Sequence, residues 1–141
     1  SQATKTAMEK ILADTSAWVA SFAKTGHESL KEKMKESIED GSLTITGVVL
    51  LELLQGVKNE TALDTLKKRL QVLPSLPTPE SVWLGSAKLS LLLRNKGVQA
   101  STPDILIATL AIEHDCILLH CDRDYEYMKK HIPLKTLPFL P

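Results

Sequence analysis

The stretch "KILADTSAWVASFA", residues 10–23, changes its hydrophobic period partway along. Ile11, Leu12 and Ala13 form a short apolar run that stops at Asp14. The apolar residues that follow fall at helical spacing, with Ser16 able to cap the helix. The reading is strand, turn, helix, with an acid at the carboxyl end of the strand.

The same signature recurs outward from there. "SLTIT", residues 42–46, reads as a strand, and from Gly47 to Val57 the chain is apolar on nearly every face except at Glu52 and Gln55. That pattern predicts a helix buried on most sides. "CILLH", residues 116–120, reads as a buried strand, "DRDYEYMKKH" as a short helix and "LKTL" as an edge strand. Between these lie an amphipathic helix in "HESLKEKMKESIED" closed by Gly41, another in "NETALDTLKKRLQV", and a long helix running from a Thr or Ser cap near residue 78 to Gly97. "LPSLPTP" is expected to be extended or turning, and "STPDILIATLAIEHD" to be a helix capped by Thr102 with Pro103 at its first position. Short apolar strands alternating with helices predict a three-layer α/β/α fold around a mainly parallel sheet.

The 141 residues suit one domain, read here as residues 8–141. Met8 stands just ahead of the first apolar run, so residues 1–7 are read as a cloning remnant outside the fold. Neither "VVLLELLQGV" nor "ILIATLAI" approaches the roughly 18 to 20 apolar residues that cross a bilayer. The polar start lacks the apolar segment of a secretory signal, and there are only two cysteines, so a reduced cytoplasmic setting is expected. Lys plus Arg equals Asp plus Glu at 17 each. Without a global positive field, RNA or any other polyanion must be held by a local patch or a metal.

Ligands of parallel sheets sit beyond the carboxyl ends of the strands. Asp14 and Asp122 each follow a strand at that edge, Asp104 lies in the first turn of a helix, and Glu52 lies in the second turn of another. Singly, Asp14 and Asp122 are explained as helix caps and Asp104 as a partner of its helix dipole. Glu52 has no such explanation inside an apolar helix, where a lone buried carboxylate costs several kcal/mol, roughly; its bland alternative is an Arg or polar core partner. Four gathered carboxylates repel one another unless a cation lies between them, and Mg²⁺ or Mn²⁺ prefers oxygen ligands.

In order and spacing, "LADTSAWVASF", "ITGVVLLELLQGV", "TPDILIATLAIEH" and "ILLHCDRDYEYM" resemble the PIN domains, and specifically the VapC-type toxin ribonucleases, over about residues 10–130. The resemblance implies metal-dependent hydrolysis of RNA phosphodiesters to 5′-phosphate and 3′-hydroxyl ends. Its acidic positions fall on Asp14, Glu52, Asp104 and Asp122, with Asp14 and Asp104 as principal ligands of Mg²⁺ or Mn²⁺. Ser16 would hydrogen-bond within the site, and Asp124 is a second candidate for the last acid. A homodimer and a cognate antitoxin laid along the helices are also implied. The chain departs from the family in having His120 and Cys121 where Thr or Ser is frequent, and Tyr125 where Phe is common.

Other readings are weaker. Zinc would need better spacing than Cys116, Cys121, His114 and His120 offer; a buried thiol and exposed histidines are expected instead. Aspartyl phosphatases of the haloacid-dehalogenase type need a second Asp where Ser16 stands, and receiver domains need an adjacent acidic pair. Lys88, Arg94 and Lys96 on the fifth helix, with Arg123, are candidate RNA-backbone contacts, although ordinary solvation of a helix face explains them slightly better. Trp18 and Phe22, four apart, suit either the core or a groove for a partner helix. The functional alternatives are a catalytically silent RNA- or protein-binding module of the same fold and a metal phosphatase acting on small phosphates.

Overall fold

A computed structural model describes residues 8–140; the expectation about residues 1–7 lies outside them. Five strands, β1 (Ile11–Ala13), β2 (Leu43–Thr46), β3 (Ser75–Leu76), β4 (Ile117–His120) and β5 (Lys135–Pro138), form one sheet in the order β3-β2-β1-β4-β5. Every pairing is parallel, with Ile11 opposite Leu43 on one side and Ile117 on the other. Seven helices cover the sheet: α1 (Thr15–Ser21), α2 (Glu28–Glu39), α3 (Gly47–Gln55), α4 (Glu60–Leu70), α5 (Glu80–Asn95), α6 (Thr102–Glu113) and α7 (Arg123–Lys129). The architecture is the three-layer α/β fold expected from the alternation of strands and helices.

The central strands are short and almost wholly buried because helices cover both of their faces. Leu12, Ala13, Leu118 and Leu119 are wholly buried, and each such leucine contributes about 1.5–3 kcal/mol on leaving water. From β1 the sheet grows through β2 to β3, then the chain crosses back to place β4 and β5 on the other side of β1. The order therefore reverses between β1 and β4, and a crevice opens beyond their carboxyl ends.

Several local expectations are corrected. Asp14, not Ser16, caps α1, its carboxylate accepting from Ala17 N–H. Ser101, not Thr102, caps α6, and Thr102 is its first residue. No Thr or Ser caps α5: Pro79 occupies the position, with Thr78 one residue too early to reach the free N–H groups. "LPSLPTP" is extended as expected, and it contains β3, a two-residue strand beside β2. At a sheet edge, prolines cost little because no partner needs their missing N–H. Helix α3 is less buried than its composition suggests, since Leu51 is 62% exposed. His120 is fully buried rather than exposed. Trp18 belongs to the core while Phe22 is 44% exposed, with ring centroids 6.1 Å apart. Gly41, at φ 80°, closes α2 in the left-handed region that glycine enters freely. No helix among the described residues is long and apolar enough to cross a membrane.

Candidate acidic centre

Beyond the switch point, carboxylates follow three strands, Asp14 after β1, Glu52 within α3 after β2 and Asp122 after β4, and a fourth, Asp104, lies in the first turn of α6. Asp14 is only 3% exposed. Its carboxylate accepts from Ser16 Oγ at 2.7 and 2.9 Å and from Ala17 N at 3.1 Å. Ser16 Oγ in turn accepts from Cys121 N at 2.9 Å, so one hydroxyl ties the end of β1 to the end of β4. Burial nevertheless pushes the Asp14 carboxyl above the usual carboxylate range, outweighing those donors.

Glu52 is half-buried and accepts from Thr15 Oγ1 at 2.6 Å. That hydroxyl, supplied by the residue after Asp14, is the partner Glu52 finds within its apolar helix. Asp104, in the first turn of α6, accepts from the Tyr125 hydroxyl at 3.1 Å. Burial raises its pKa, and the charges of Asp122 and Glu52 push it the same way. Tyr125, wholly buried, has its own ionisation pushed far up by burial and then by Asp14, Asp104 and Asp122. It therefore acts as a hydrogen-bond donor throughout the physiological range.

Asp122 caps α7, accepting from Asp124 N at 3.0 Å. Its own N–H donates to His120 Nδ1 at 3.0 Å. A nitrogen that accepts an N–H carries no proton, so Nε2 bears the imidazole hydrogen and donates to Glu126 at 2.7 Å. His120 is thus a neutral, doubly bonded strut beneath the Asp122 turn, with the Tyr125 ring 5.0 Å away.

One carboxylate oxygen each of Asp104, Asp122 and Asp124 lies within 4.8 Å of the others. Asp14 and Glu52 stand outside this trio, although their charges reach Tyr125 and Asp104 respectively. Oxygen-only donors at mutual distances one ion can bridge suit a hard divalent cation and give a thiophilic one no ligand. Arg94 and Lys96 end α5, and Arg123 follows Asp122 directly; all three are exposed and make no ion pair among the described residues. Lys88 is exposed midway along α5, away from its end.

The sequence reading missed Thr15 and Glu126 and saw His120 and Tyr125 only as departures. Adjacency to Asp14 was an available signal for Thr15. Nothing local betrays that Tyr125 reaches Asp104, 21 residues away.

A parallel sheet whose switch point gathers carboxylates defines an α/β protein with an acidic centre. The chain belongs to the PIN domain family, which it matches over residues 11–131. It is 30% identical to VapC ribonuclease Mb1587 of Mycobacterium bovis over 132 residues, 92% of this chain and 98% of the relative. Ribonuclease VapC11 of Mycobacterium tuberculosis is similar to the same degree, 30% over 132 residues with coverage of 92% and 98%. Among solved structures, DNA-bound VapBC from Salmonella typhimurium superposes with a TM-score of 0.77 at 18% identity, covering 93% of this chain and 98% of that one. VapBC2 from Rickettsia felis, bound to a promoter DNA fragment, gives 0.76 at 20% identity, with coverage of 92% and 98%. At such identities the two structures speak for the fold.

Proposed function

We propose that this chain, as one domain over residues 8–141, is a metal-dependent endoribonuclease and the toxin half of a toxin–antitoxin pair acting in the cytoplasm. The observation that carries the reading is the convergence of Asp104, Asp122 and Asp124 within 4.8 Å at the sheet's switch point, in a chain similar along its length to proteins named ribonucleases. Those three carboxylates would hold Mg²⁺ or Mn²⁺, with Asp14 and Glu52 completing the acidic wall. When bound, such an ion supplies Lewis-acid activation of the phosphoryl group and of water.

The chain's own residues prepare that site. Tyr125 and His120 fix the acids on α6 and α7, and Ser16 and Thr15 hold Asp14 and Glu52. The rotamers are thereby settled before substrate arrives, which lowers the cost of organising the site. No histidine is free for general acid–base transfer at the centre, since both His120 nitrogens are engaged. This suits hydrolysis by water rather than attack by the RNA 2′-hydroxyl.

An antitoxin partner is supported by the two matched structures, each described as a VapBC. Exposed Trp83, Leu84 and Leu91 on α5 support a protein-covered face there, which fits a homodimer. Incubation with single-stranded and structured RNAs in Mg²⁺, Mn²⁺ or chelator, beside Asp104→Asn, tests the activity. Metal-dependent cleavage lost on that substitution is expected. Cleavage undiminished by it overturns the assignment, and RNA bound but never cut in any metal would make the chain a silent binding module.

A further inference from the structure

A surface cavity of about 320 Å³ is lined by Gly97, Val98, Gln99, Tyr127, Lys130 and His131. It lies between the loop that leads into α6 and the second half of α7, the two helices that carry Asp104 and Asp122. The Tyr125–Asp104 hydrogen bond locks these helices together, so the cavity and the acids keep a fixed relation. At 1.5 Å rise per residue, Tyr127 stands about 7.5 Å along α7 from Asp122.

The lining has a particular chemistry. The Tyr127 ring is 48% exposed and has no aromatic partner among the described residues. Lys130 Nζ sits 5.5 Å from its centroid, and among the described residues that ammonium makes no ion pair. Gln99 adds an amide and His131 an imidazole, both exposed. The nearby acids are occupied elsewhere: Glu126 bonds His120, and Asp124 belongs to the acidic trio. An aromatic face, a cation and hydrogen-bonding groups in one concavity match a base-stacking platform with a phosphate contact. With formal charge balanced over the whole chain, such a local site is what an RNA needs in order to be held.

Resting on the ribonuclease reading, we infer that this cavity is a nucleobase subsite for single-stranded RNA, in which Tyr127 stacks on a base and Lys130 meets the adjoining phosphate, positioning the strand across the acidic centre.

The test uses a short fluorescein-labelled single-stranded RNA and the full chain carrying Asp104→Asn, so that the probe survives. Anisotropy titrations compare this parent with Tyr127→Ala, Tyr127→Trp and Lys130→Gln, and with RNAs made abasic at each position in turn. Stacking predicts that Tyr127→Ala weakens binding at least about fivefold, that Tyr127→Trp retains affinity, and that one abasic position weakens the parent but not Tyr127→Ala. Lys130→Gln should reduce the slope of log K against log salt by about 0.7. Unchanged affinity in Tyr127→Ala overturns the subsite. So does a parent indifferent to abasic sites at every position, a test that stands even where Tyr127→Ala does not fold. The unsubstituted chain is assayed on the same RNA with Mn²⁺. Cleavage accompanied by binding indifferent to Tyr127 overturns the subsite alone, whereas neither binding nor cleavage overturns the ribonuclease reading with it.

Discussion

Asp14 and Asp104 are both held above the usual carboxylate range, by burial first and, for Asp104, also by Asp122 and Glu52. A group whose folded pKa exceeds its unfolded value of about 4 stabilises fully below that value, and its contribution is lost as pH rises through the folded pKa. These two groups should therefore pull the Tm of the metal-free protein down as pH rises from about 4 toward neutrality, against the opposite pull of Asp40 and Glu126, and calorimetry in chelator should show a Tm that falls less, or rises more, with pH in Asp104→Asn than in the parent. In chelator at pH 7, Asp104→Asn should melt a few degrees higher than the parent, and with Mg²⁺ or Mn²⁺ supplied it should lose metal-dependent cleavage at least about a hundredfold. A lower Tm would mean that the carboxylate stabilises the apo fold. His120→Ala removes the acceptor for Asp122 N–H and the donor to Glu126, and opens space beside Tyr125. About 3 kcal/mol should be lost in urea unfolding; a loss near zero would show that water replaces the imidazole. Residue roles were the least legible part of the sequence. Ser16 beside Asp14 and Thr102 beside Ser101 are both able to cap, and only the backbone's point of entry into the helix decides between them. His120 looked like a surface residue because its two partners are set by the turn after β4, which no periodicity reports.

Among the elements, α3 shows where pattern reading stops. "VVLLELLQ" is nearly all apolar, so nothing in its periodicity tells Leu51 from Leu53, yet one is 62% exposed and the other 6%. Replacing each by Ala should separate them: about 2–5 kcal/mol for Leu53 and under about 0.5 kcal/mol for Leu51, read from denaturant midpoints of the isolated chain. Comparable losses would mean that the outer face of α3 is covered in solution. The short strand β3 was illegible for another reason. Two residues carry no period, and the prolines around Ser75 and Leu76 argue against a strand until the edge position is known. The amphipathic helices α2 and α4 and the strands β1, β2 and β4 were plain in the sequence, because the apolar residues that each buries recur at its own period or fall in one short run.

At the scale of the molecule, alternation of strands and helices was enough to foresee the layers and the edge on which acids collect. The grouping within that edge was not legible, since it depends on side-chain distances that no spacing encodes: Asp124 stands with Asp104 and Asp122, while Asp14 stands apart. Balanced charge predicts weak RNA binding in chelator, which a filter assay checks; tight metal-free binding would mean that the cations near α7 suffice without the ion. Millimolar Mg²⁺ at neutral pH should raise the Tm by relieving repulsion among the acids, and a hundredfold excess over its Kd would correspond to about 2.7 kcal/mol. The strand order has a further consequence. β4 lies beside β1 in the middle of the sheet, yet it is the fourth strand in the chain, at residues 117–120. Every residue from Asp14 to Cys116 must be made before that gap can be filled and Asp122 can join Asp104. Products that end before β4 therefore lack the strand that pairs with β1 and also Asp122 and Asp124, which follow it.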